Sequence, residues 1–187
     1  MTEAPTPYVL DADTMTGGMR PIRQALIALG SNLGDRLQRL QGGVAAIEDT
    51  PEVKIVAVSS VYETDPVDAP PDAPAYLNAV VLIDTTLTVH QLLDRALAIE
   101  DAFGRDRSVK NAPRTLDVDL IVVGNRVCDD DKLTLPHPRA HERAFVLVPW
   151  VEVDPEGEIP GRGFVADLVS GMDTSGVRQH EDLELIL

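Results

Sequence analysis

The chain has 187 residues, of which 44% are hydrophobic and 25% are charged, a composition typical of a globular protein with one substantial core. A formal net charge of -15 argues against a nucleic acid or an anionic membrane as partner, because either would repel the protein. The single cysteine, Cys128, excludes an internal disulfide, and no apolar run approaches the roughly 18 to 20 residues of a membrane-spanning helix, so we expect a cytoplasmic protein.

The first half of the chain predicts a strand, a helix and two further strands. An apolar strand over residues 24–29 ends at the glycine-containing turn 30–34, after which apolar residues recur at helical spacing as far as Ile47. Residues 54–62 and Tyr76–Thr85 have the composition of strands, and a proline-rich loop separates them. The expected order is therefore strand, helix, strand, strand.

The second half of the chain adds a helix and a strand to this order. Thr88 and Gln91 form a capping-box pattern that begins a helix through Ile99, and Gly104 is the expected stop. A strand over 115–123 follows. The order βαββαβ is typical of an α+β protein with a ferredoxin-like core, an antiparallel sheet with helices packed on one face. Beyond this core the sequence predicts a short strand at 126–128 and helices at 140–148 and 164–170.

Two carboxylates share one face of the last core strand. Because side chains alternate along a strand, Asp117 and Asp119 point the same way. The core face takes Leu116, Val118 and Leu120. Two ionised neighbours repel, so either one carboxyl holds a proton or the pair holds a divalent cation. Mg²⁺ binds carboxylate oxygens together with substrate phosphates, which favours a magnesium site.

A basic cluster precedes the same strand. It consists of Arg105, Arg107, Lys110 and Arg114, in a chain that is otherwise strongly acidic. A solvated loop after a helix explains Arg105 well. It explains Arg114 poorly, because Arg114 stands only three residues before Asp117. Guanidinium groups suit phosphate oxygens, so cations beside paired carboxylates predict a polyphosphate ligand.

Two functions are open on these residues alone. A two-metal phosphohydrolase that acts on a nucleotide would need the same Asp-x-Asp pair and nearby arginines. A ferredoxin-like regulatory module that binds an anionic metabolite would account for the topology and the basic cluster, but not for the paired aspartates. Ligand binding that is independent of metal would favour the regulatory module.

Five segments in order resemble a known family. They are A-L-G-S-N-L-G-D-R at 28–36, S-S-V-Y-E-T at 59–64, Y-L-N-A-V at 76–80, P-R-T-L-D-V-D-L at 113–120 and L-T-L-P-H-P at 133–138. Together they resemble the 6-hydroxymethyl-7,8-dihydropterin pyrophosphokinases of folate biosynthesis, over about residues 25–160. The resemblance implies an α/β sandwich with a ferredoxin-like core. It also implies transfer of the β,γ-pyrophosphoryl group from ATP to the pterin hydroxymethyl group, with two Mg²⁺ ions, leaving AMP.

The resemblance also implies roles for individual residues. Asp117 and Asp119 would hold both Mg²⁺ ions. The catalytic residues would be Arg105, Arg107 and Arg114. The ATP-binding residues would be Glu100, Lys110, Leu120, Lys132, Leu133, Thr134, His137 and Arg143. The pterin-binding residues would be Gly30, Thr64, Val67, Tyr76, Asn78 and Phe145, with an aromatic ring stacked on the heterocycle.

The basic segment departs from the family pattern. The family usually has Trp-Gly before Pro-Arg, where this chain has Asn111 and Ala112. The segment is also one residue shorter than that pattern. Pro138 stands where an aromatic residue is usual.

The resemblance sets the expected domain limits and partners. We expect a flexible N-terminal tail over 1–22, a pyrophosphokinase domain over 23–175 and a C-terminal tail over 176–187. The expected partners are ATP and 6-hydroxymethyl-7,8-dihydropterin, with no nucleic acid and no membrane. A monomer is expected rather than an oligomer.

Overall fold

The computed structural model describes residues 20–66, 72–104 and 115–187. The strands are β1 (Arg23–Ser31), β2 (Val53–Val58), β3 (Tyr62–Thr64), β4 (Tyr76–Thr85), β5 (Asp117–Val123), β6 (Cys128–Asp129), β7 (Thr134–Leu135), β8 (Glu158–Ile159), β9 (Gly163–Phe164) and β10 (Val177–Gln179). The helices are α1 (Arg36–Glu48), α2 (Val89–Ala102), α3 (Ala144–Val153) and α4 (Val165–Ser170), with a 3₁₀ turn over Ala140–Glu142. None of the described helices is both long and apolar enough to cross a membrane.

One antiparallel sheet has the strand order β10-β3-β4-β1-β5, and β2 also pairs with β4. β4 is long enough to share one edge between two partners, with β3 opposite residues 76–78 and β2 opposite residues 81–85. With α1 after β1 and α2 after β4, this arrangement is the predicted α+β ferredoxin-like fold.

The prediction of one strand over 54–62 is wrong, because the structure has two strands, β2 and β3, there. Between them the hydroxyl of Ser59 accepts the Val80 N–H at 2.9 Å, so a side chain takes the place of a backbone carbonyl. The next residue, Ser60, donates both its N–H and its hydroxyl to Glu152 of α3. These side-chain bonds interrupt the strand and redirect the chain.

The two faces of the sheet are covered differently. One face packs on α1 and α2, with Leu29, Leu40 and Ile99 in its core. The other packs on α3 and α4, with Leu26 and Trp150 in its core. The expectation of helices on one face therefore holds only for the βαββαβ part, because the apolar residues of α3 cover the second face.

The two predicted tails are described to different extents. Most of the predicted tail 1–22 lies outside the described residues. Residues 176–187, expected to be a tail, contribute β10, which pairs with β3 and covers what would otherwise be a sheet edge. Leu183 and Leu185 then pack against the core.

A local signal begins α2, and a glycine lets α1 pack against the end of α2. Thr88 and Gln91 form the predicted capping box of α2, and Gly104 follows the helix with φ +82. Gly42 lies against the ring of Phe103, where a Cβ atom would overlap the ring. This glycine therefore lets α1 approach the end of α2 closely, and α1 runs through it without a break.

Candidate active site

A cavity of about 570 Å³ opens at one end of the sheet, on the face that carries α3. It is lined by β1, the start of β5, the first residues of β4 and the segment that leads into α3. The predicted site residues on its wall are Gly30, Thr64, Tyr76, Asn78, Asp117, Asp119, Arg143 and Phe145. A second cavity of about 660 Å³, near Trp150 at the other end of the sheet, holds none of the predicted site residues that the structure describes.

Strand register explains why distant residues meet in this cavity. β1 lies between β4 and β5, and Gly30 pairs with Asn78 on one side and with Asp117 on the other. Ala28, two residues earlier on the same face, pairs with Asp119. The predicted pterin residue Asn78 and the predicted metal residue Asp117 are therefore held on the two strands that flank β1, on either side of Gly30.

The amide of Asn78 is buried and oriented. Its Nδ2 donates to Thr64 Oγ1 at 2.6 Å, and the residue is 6% exposed. A Cβ atom on Gly30 would lie 2.8 Å from Asn78 Oδ1, closer than packed atoms approach. Glycine is therefore required at position 30 because it is small. Its backbone is that of an ordinary strand, and the positive φ of the following turn is at Gly34.

Two aromatic rings border the cavity. Tyr76 and Phe145 are both half-buried on its wall. The guanidinium carbon of Arg143 lies 5.6 Å from the centre of the Phe145 ring, a distance typical of a cation–π contact. A flat apolar ligand and a guanidinium group would therefore compete for the same ring surface.

The paired aspartates form the acidic side of the cavity. Asp117 and Asp119 are both half-buried, and Arg143 Nη1 lies 3.6 Å from Asp119 Oδ2. This ion pair shows that the Asp119 carboxylate attracts a cation. Two carboxylates on one face of a strand, open to a cavity, are a donor set that fits Mg²⁺.

Interior contacts fix β5, which carries both aspartates. Glu100 of α2 is 2% exposed, and its Oε1 accepts the Val118 N–H at 3.0 Å. Among the strands that the structure describes, β5 is the last on its side of the sheet, so Glu100 takes the place of a neighbouring strand. The backbone carbonyl of Thr115, just before β5, accepts the Ser31 hydroxyl at 2.6 Å. Glu100 therefore supports β5 rather than lining the cavity.

His137 lies close to the acidic side. Burial lowers the pKa of His137, and the negative charge of Asp119 opposes this shift while Arg143 adds to it. Its Nδ1 accepts the Arg139 N–H at 3.1 Å, so Nε2 is the nitrogen left to donate. Burial and this hydrogen bond together favour the neutral imidazole, with its proton on Nε2.

The remaining predicted residues lie elsewhere. Leu120 is in the core beneath the sheet, and Lys132, Leu133 and Thr134 belong to the β6–β7 hairpin. The predictions for Val67, Arg105, Arg107, Lys110 and Arg114, and the departures at Asn111 and Ala112, fall outside the described residues.

Comparison with known proteins decides the family. The family model for 7,8-dihydro-6-hydroxymethylpterin-pyrophosphokinase matches residues 26–155. The chain belongs to this family. It is 40% identical over 158 residues to the 2-amino-4-hydroxy-6-hydroxymethyldihydropteridine pyrophosphokinase of Methylorubrum extorquens, an alignment that covers 84% of this chain and 99% of the relative. The enzyme of the same name from Bacillus subtilis is 43% identical over 129 residues, which are 69% of this chain and 77% of that enzyme.

Solved structures agree on the fold of this pyrophosphokinase family member. The Plasmodium falciparum HPPK-DHPS triple mutant S436F/A437G/A613T has a TM-score of 0.65 at 13% sequence identity. The superposition covers 82% of this chain and 44% of that longer chain. At this identity the match concerns the fold alone.

Several cavity residues have no counterpart in the sequence predictions. Asp173, Ser175, Gly176 and Val177 line the cavity from the C-terminal segment, beyond the residues matched by the family model. They reach it because β10 pairs with β3 and the Asp65 N–H donates to the Gly176 carbonyl at 3.1 Å. No local pattern in the sequence indicates this pairing. The other unpredicted lining residues include Asp65, Arg139 and Glu142.

Proposed function

We propose that this chain, a pyrophosphokinase of folate biosynthesis by family, transfers the β,γ-pyrophosphoryl group of ATP to 6-hydroxymethyl-7,8-dihydropterin, giving AMP and the pterin diphosphate. The family match and its relatives support the activity. The observation that carries the proposal is the placement of Asn78 and Asp117 on either side of Gly30. A heterocycle bound at Asn78 would thus have its hydroxymethyl group beside the acidic pair.

The pterin would be recognised by shape and by hydrogen bonds. Tyr76 and Phe145 offer aromatic faces to a flat ring, and Asn78 offers an amide that pairs with the amide-like edge of a pterin. Thr64 fixes the Asn78 rotamer, so little side-chain entropy is lost on binding. Val67 is proposed for the same pocket.

Asp117 and Asp119 are proposed to hold two Mg²⁺ ions together with the phosphates of ATP. When bound, these ions would neutralise phosphate charge and orient the reacting groups. Asp119 would exchange its partner Arg143 for a metal ion, which frees the guanidinium group for a phosphate. Glu100 would keep β5, and so both carboxylates, in position.

The reaction needs no protein nucleophile. The pterin hydroxyl oxygen would attack the β-phosphorus, the bond from that phosphorus to the α,β-bridging oxygen would break, and the hydroxyl proton would pass to solvent. Catalysis then depends on positioning and charge. Arg105, Arg107 and Arg114 are proposed to offset the charge that builds on the phosphates.

The other ATP contacts are proposed from the family resemblance. His137 would donate from Nε2, and Lys132, Leu133 and Thr134 would contribute from the β6–β7 hairpin. Lys110 completes this set, and the buried Glu100 and Leu120 would contribute to it indirectly, by positioning β5. A cytoplasmic monomer without a nucleic-acid or membrane partner also stays a prediction.

One assay tests the proposal directly. The protein is incubated with ATP and Mg²⁺, with and without 6-hydroxymethyl-7,8-dihydropterin, and the nucleotides are separated by chromatography. We expect AMP only when the pterin is present, and no product when EDTA removes the metal. Nucleotide hydrolysis without pterin would identify a phosphohydrolase instead, and binding of ATP without turnover in either case would contradict an enzymatic role.

A further inference from the structure

A second group of metal-binding side chains lies outside the cavity. It consists of His90 in the first turn of α2, Cys128 in β6 and Asp130 just after β6. Each offers one ligand atom, and these atoms all lie within 4.8 Å of one another. It is the only such group of three found in the residues that the structure describes. The reaction proposed above uses none of the three.

Asp130 is the centre of the group. Its Oδ2 lies 2.7 Å from His90 Nε2 and 3.4 Å from Cys128 Sγ. Its Oδ1 accepts the backbone N–H groups of Lys132 at 2.8 Å and Leu133 at 2.9 Å. Because these two N–H groups occupy Oδ1, Oδ2 is the oxygen that faces both neighbours.

The three ligands are held by two ordered elements. His90 lies inside the capping box that begins α2, and Cys128 pairs with Leu135 across the β6–β7 hairpin. A site that is formed before the metal arrives loses little conformational entropy on binding. The exposed position of His90 and Asp130 gives a cation access from solvent.

We propose that His90, Cys128 and Asp130 bind one Zn²⁺ ion, with water as the fourth ligand. Thiolate and imidazole ligands favour zinc, whereas Mg²⁺ prefers an all-oxygen set. Two donors at about 2.0 to 2.3 Å from a tetrahedral ion lie roughly 3.3 to 3.7 Å apart. The sulfur-to-oxygen distance of 3.4 Å already fits, and the imidazole moves outward by roughly 0.6 Å from the carboxylate oxygen.

The coordination step balances in protons and electron pairs. The Cys128 thiol proton, which now points to Asp130, passes to solvent. The His90 Nε2 proton, which now points to the Asp130 carboxylate, also passes to solvent, and the neutral ring carries its proton on Nδ1. Thiolate, neutral imidazole and carboxylate then each donate one electron pair to the ion, with no change in oxidation state. The bound ion would fasten α2 to the β6–β7 hairpin, and it would stabilise the folded chain by mass action.

Cobalt and zinc titrations of the full chain test the proposal. The reduced protein is freed of metal with EDTA, desalted and kept in excess Mg²⁺, which occupies the oxygen ligands of the acidic pair. We expect Co²⁺ to produce a thiolate-to-cobalt absorption band that saturates at one equivalent and is abolished by Zn²⁺. Because Cys128 is the only cysteine, this band reports on this group alone. Zn²⁺ should also slow alkylation of Cys128 and raise the melting temperature.

Variants separate a three-ligand site from a thiol acting alone. His90→Gln, Cys128→Ser and Asp130→Asn should each weaken zinc affinity by more than about tenfold, since even the loss of a supporting contact has that effect in metal sites. Asp131→Asn removes a neighbouring charge and His180→Gln a distant imidazole, and both should bind as the unmodified chain does. An absent cobalt band, an alkylation rate unchanged by zinc, or full affinity in His90→Gln and Asp130→Asn would overturn the proposal.

Discussion

At the scale of single residues, pterin binding depends on Gly30, because the missing side chain leaves room for the Asn78 amide. In Gly30→Ala the new Cβ would lie 2.8 Å from Asn78 Oδ1, so the amide would have to leave its position beside Thr64. We expect pterin affinity to fall by roughly 10- to 100-fold, the equivalent of one or two lost hydrogen bonds. Calorimetric titration with pterin and, separately, with an ATP analogue measures the effect, and nucleotide affinity should stay nearly the same.

Gly34→Ala is the matched control. Gly34 has φ +64 and nothing within 4 Å of its Cβ position, so alanine adds backbone strain but no collision. That strain should lower the free energy of unfolding by roughly 1 to 2 kcal/mol and leave pterin binding unchanged. Equal losses of pterin affinity in both variants would show that Gly30 acts through stability alone.

The acidic pair gives a second prediction at this scale. Asp117→Asn and Asp119→Asn keep side-chain volume, relieve repulsion on the strand face and should leave the fold intact. Turnover should fall by several powers of ten while nucleotide binding weakens less. Asp84→Asn, on β4 well away from Asn78, is the control and should keep full activity. Circular dichroism checks that the variants fold, and steady-state kinetics measures their turnover. Normal turnover in either folded variant would contradict the two-metal proposal.

At the scale of secondary-structure elements, α3 is fastened to the β2–β3 junction through Glu152. Its Oε2 accepts the hydroxyl of Tyr62 at 2.9 Å, and Tyr62 is 7% exposed. Burial, with a smaller contribution from the hydrogen bond and charge of Glu152, raises the pKa of Tyr62 above its usual value. The folded chain therefore keeps this proton at a pH where the unfolded chain releases it.

This difference fixes the sign of a pH effect. Above a pH of about 10 the unfolded state binds fewer protons than the folded state, so the free energy of unfolding falls as the pH rises. The contribution is complete below that pH. In Tyr62→Phe the fall between about pH 9.5 and 11 should be shallower than in the unmodified chain. Urea unfolding across this range measures both slopes, and identical slopes would mean that Tyr62 does not couple to folding.

Sequence patterns predicted elements where the cause is local. The capping box at Thr88, the apolar composition that makes Tyr76–Thr85 a strand and the shared face of Asp117 and Asp119 follow from neighbouring residues. The break near Ser59 depends on Val80 and Glu152, which no window around Ser59 contains. The strand at 177–179 could not be predicted for the same reason, because its partner strand lies more than a hundred residues earlier.

The candidate site likewise has features that the sequence predicted and features that it did not. Five ordered motifs indicated which residues meet, and the register around Gly30 brings Asn78 and Asp117 together as that resemblance implied. The internal position of Glu100, whose place before the basic segment indicated a ligand contact, required knowledge of how α2 packs on β5. The contribution of residues 173–177 required knowledge of the sheet edge.

At the scale of the whole molecule, the cavity exists because the second face of the sheet is only partly covered by α3 and α4. Its described wall is acidic, like the chain as a whole. The carboxylates are Asp65, Asp117, Asp119, Glu142 and Asp173, and the guanidinium groups are Arg139 and Arg143. A bare polyphosphate would be repelled by this wall, so ATP affinity should depend on the accompanying cation.

Arg143 connects the two halves of this cavity. It pairs with Asp119 at 3.6 Å and lies over the ring of Phe145 at 5.6 Å, so it touches both the metal side and the pterin side. A metal–nucleotide complex that takes Asp119 would release the guanidinium group and clear the ring. We therefore expect a non-hydrolysable ATP analogue with Mg²⁺ to raise pterin affinity within the roughly 5- to 150-fold range of typical couplings.

Arg143→Ala should reduce the ratio of pterin affinities with and without the ATP analogue toward one. The Phe145 ring would then be clear whether or not nucleotide is bound. Arg139→Ala is the matched control: it removes a guanidinium group from the same wall, but its partner is Glu142 at 3.6 Å. Pterin titrations of each variant, with and without the analogue, give the ratios. A reduced ratio in Arg143→Ala alone places the coupling in the contact between Asp119, Arg143 and Phe145. An unchanged ratio in Arg143→Ala, or the same reduction in both variants, would exclude that contact as its route and leave the net charge of the wall as the remaining cause.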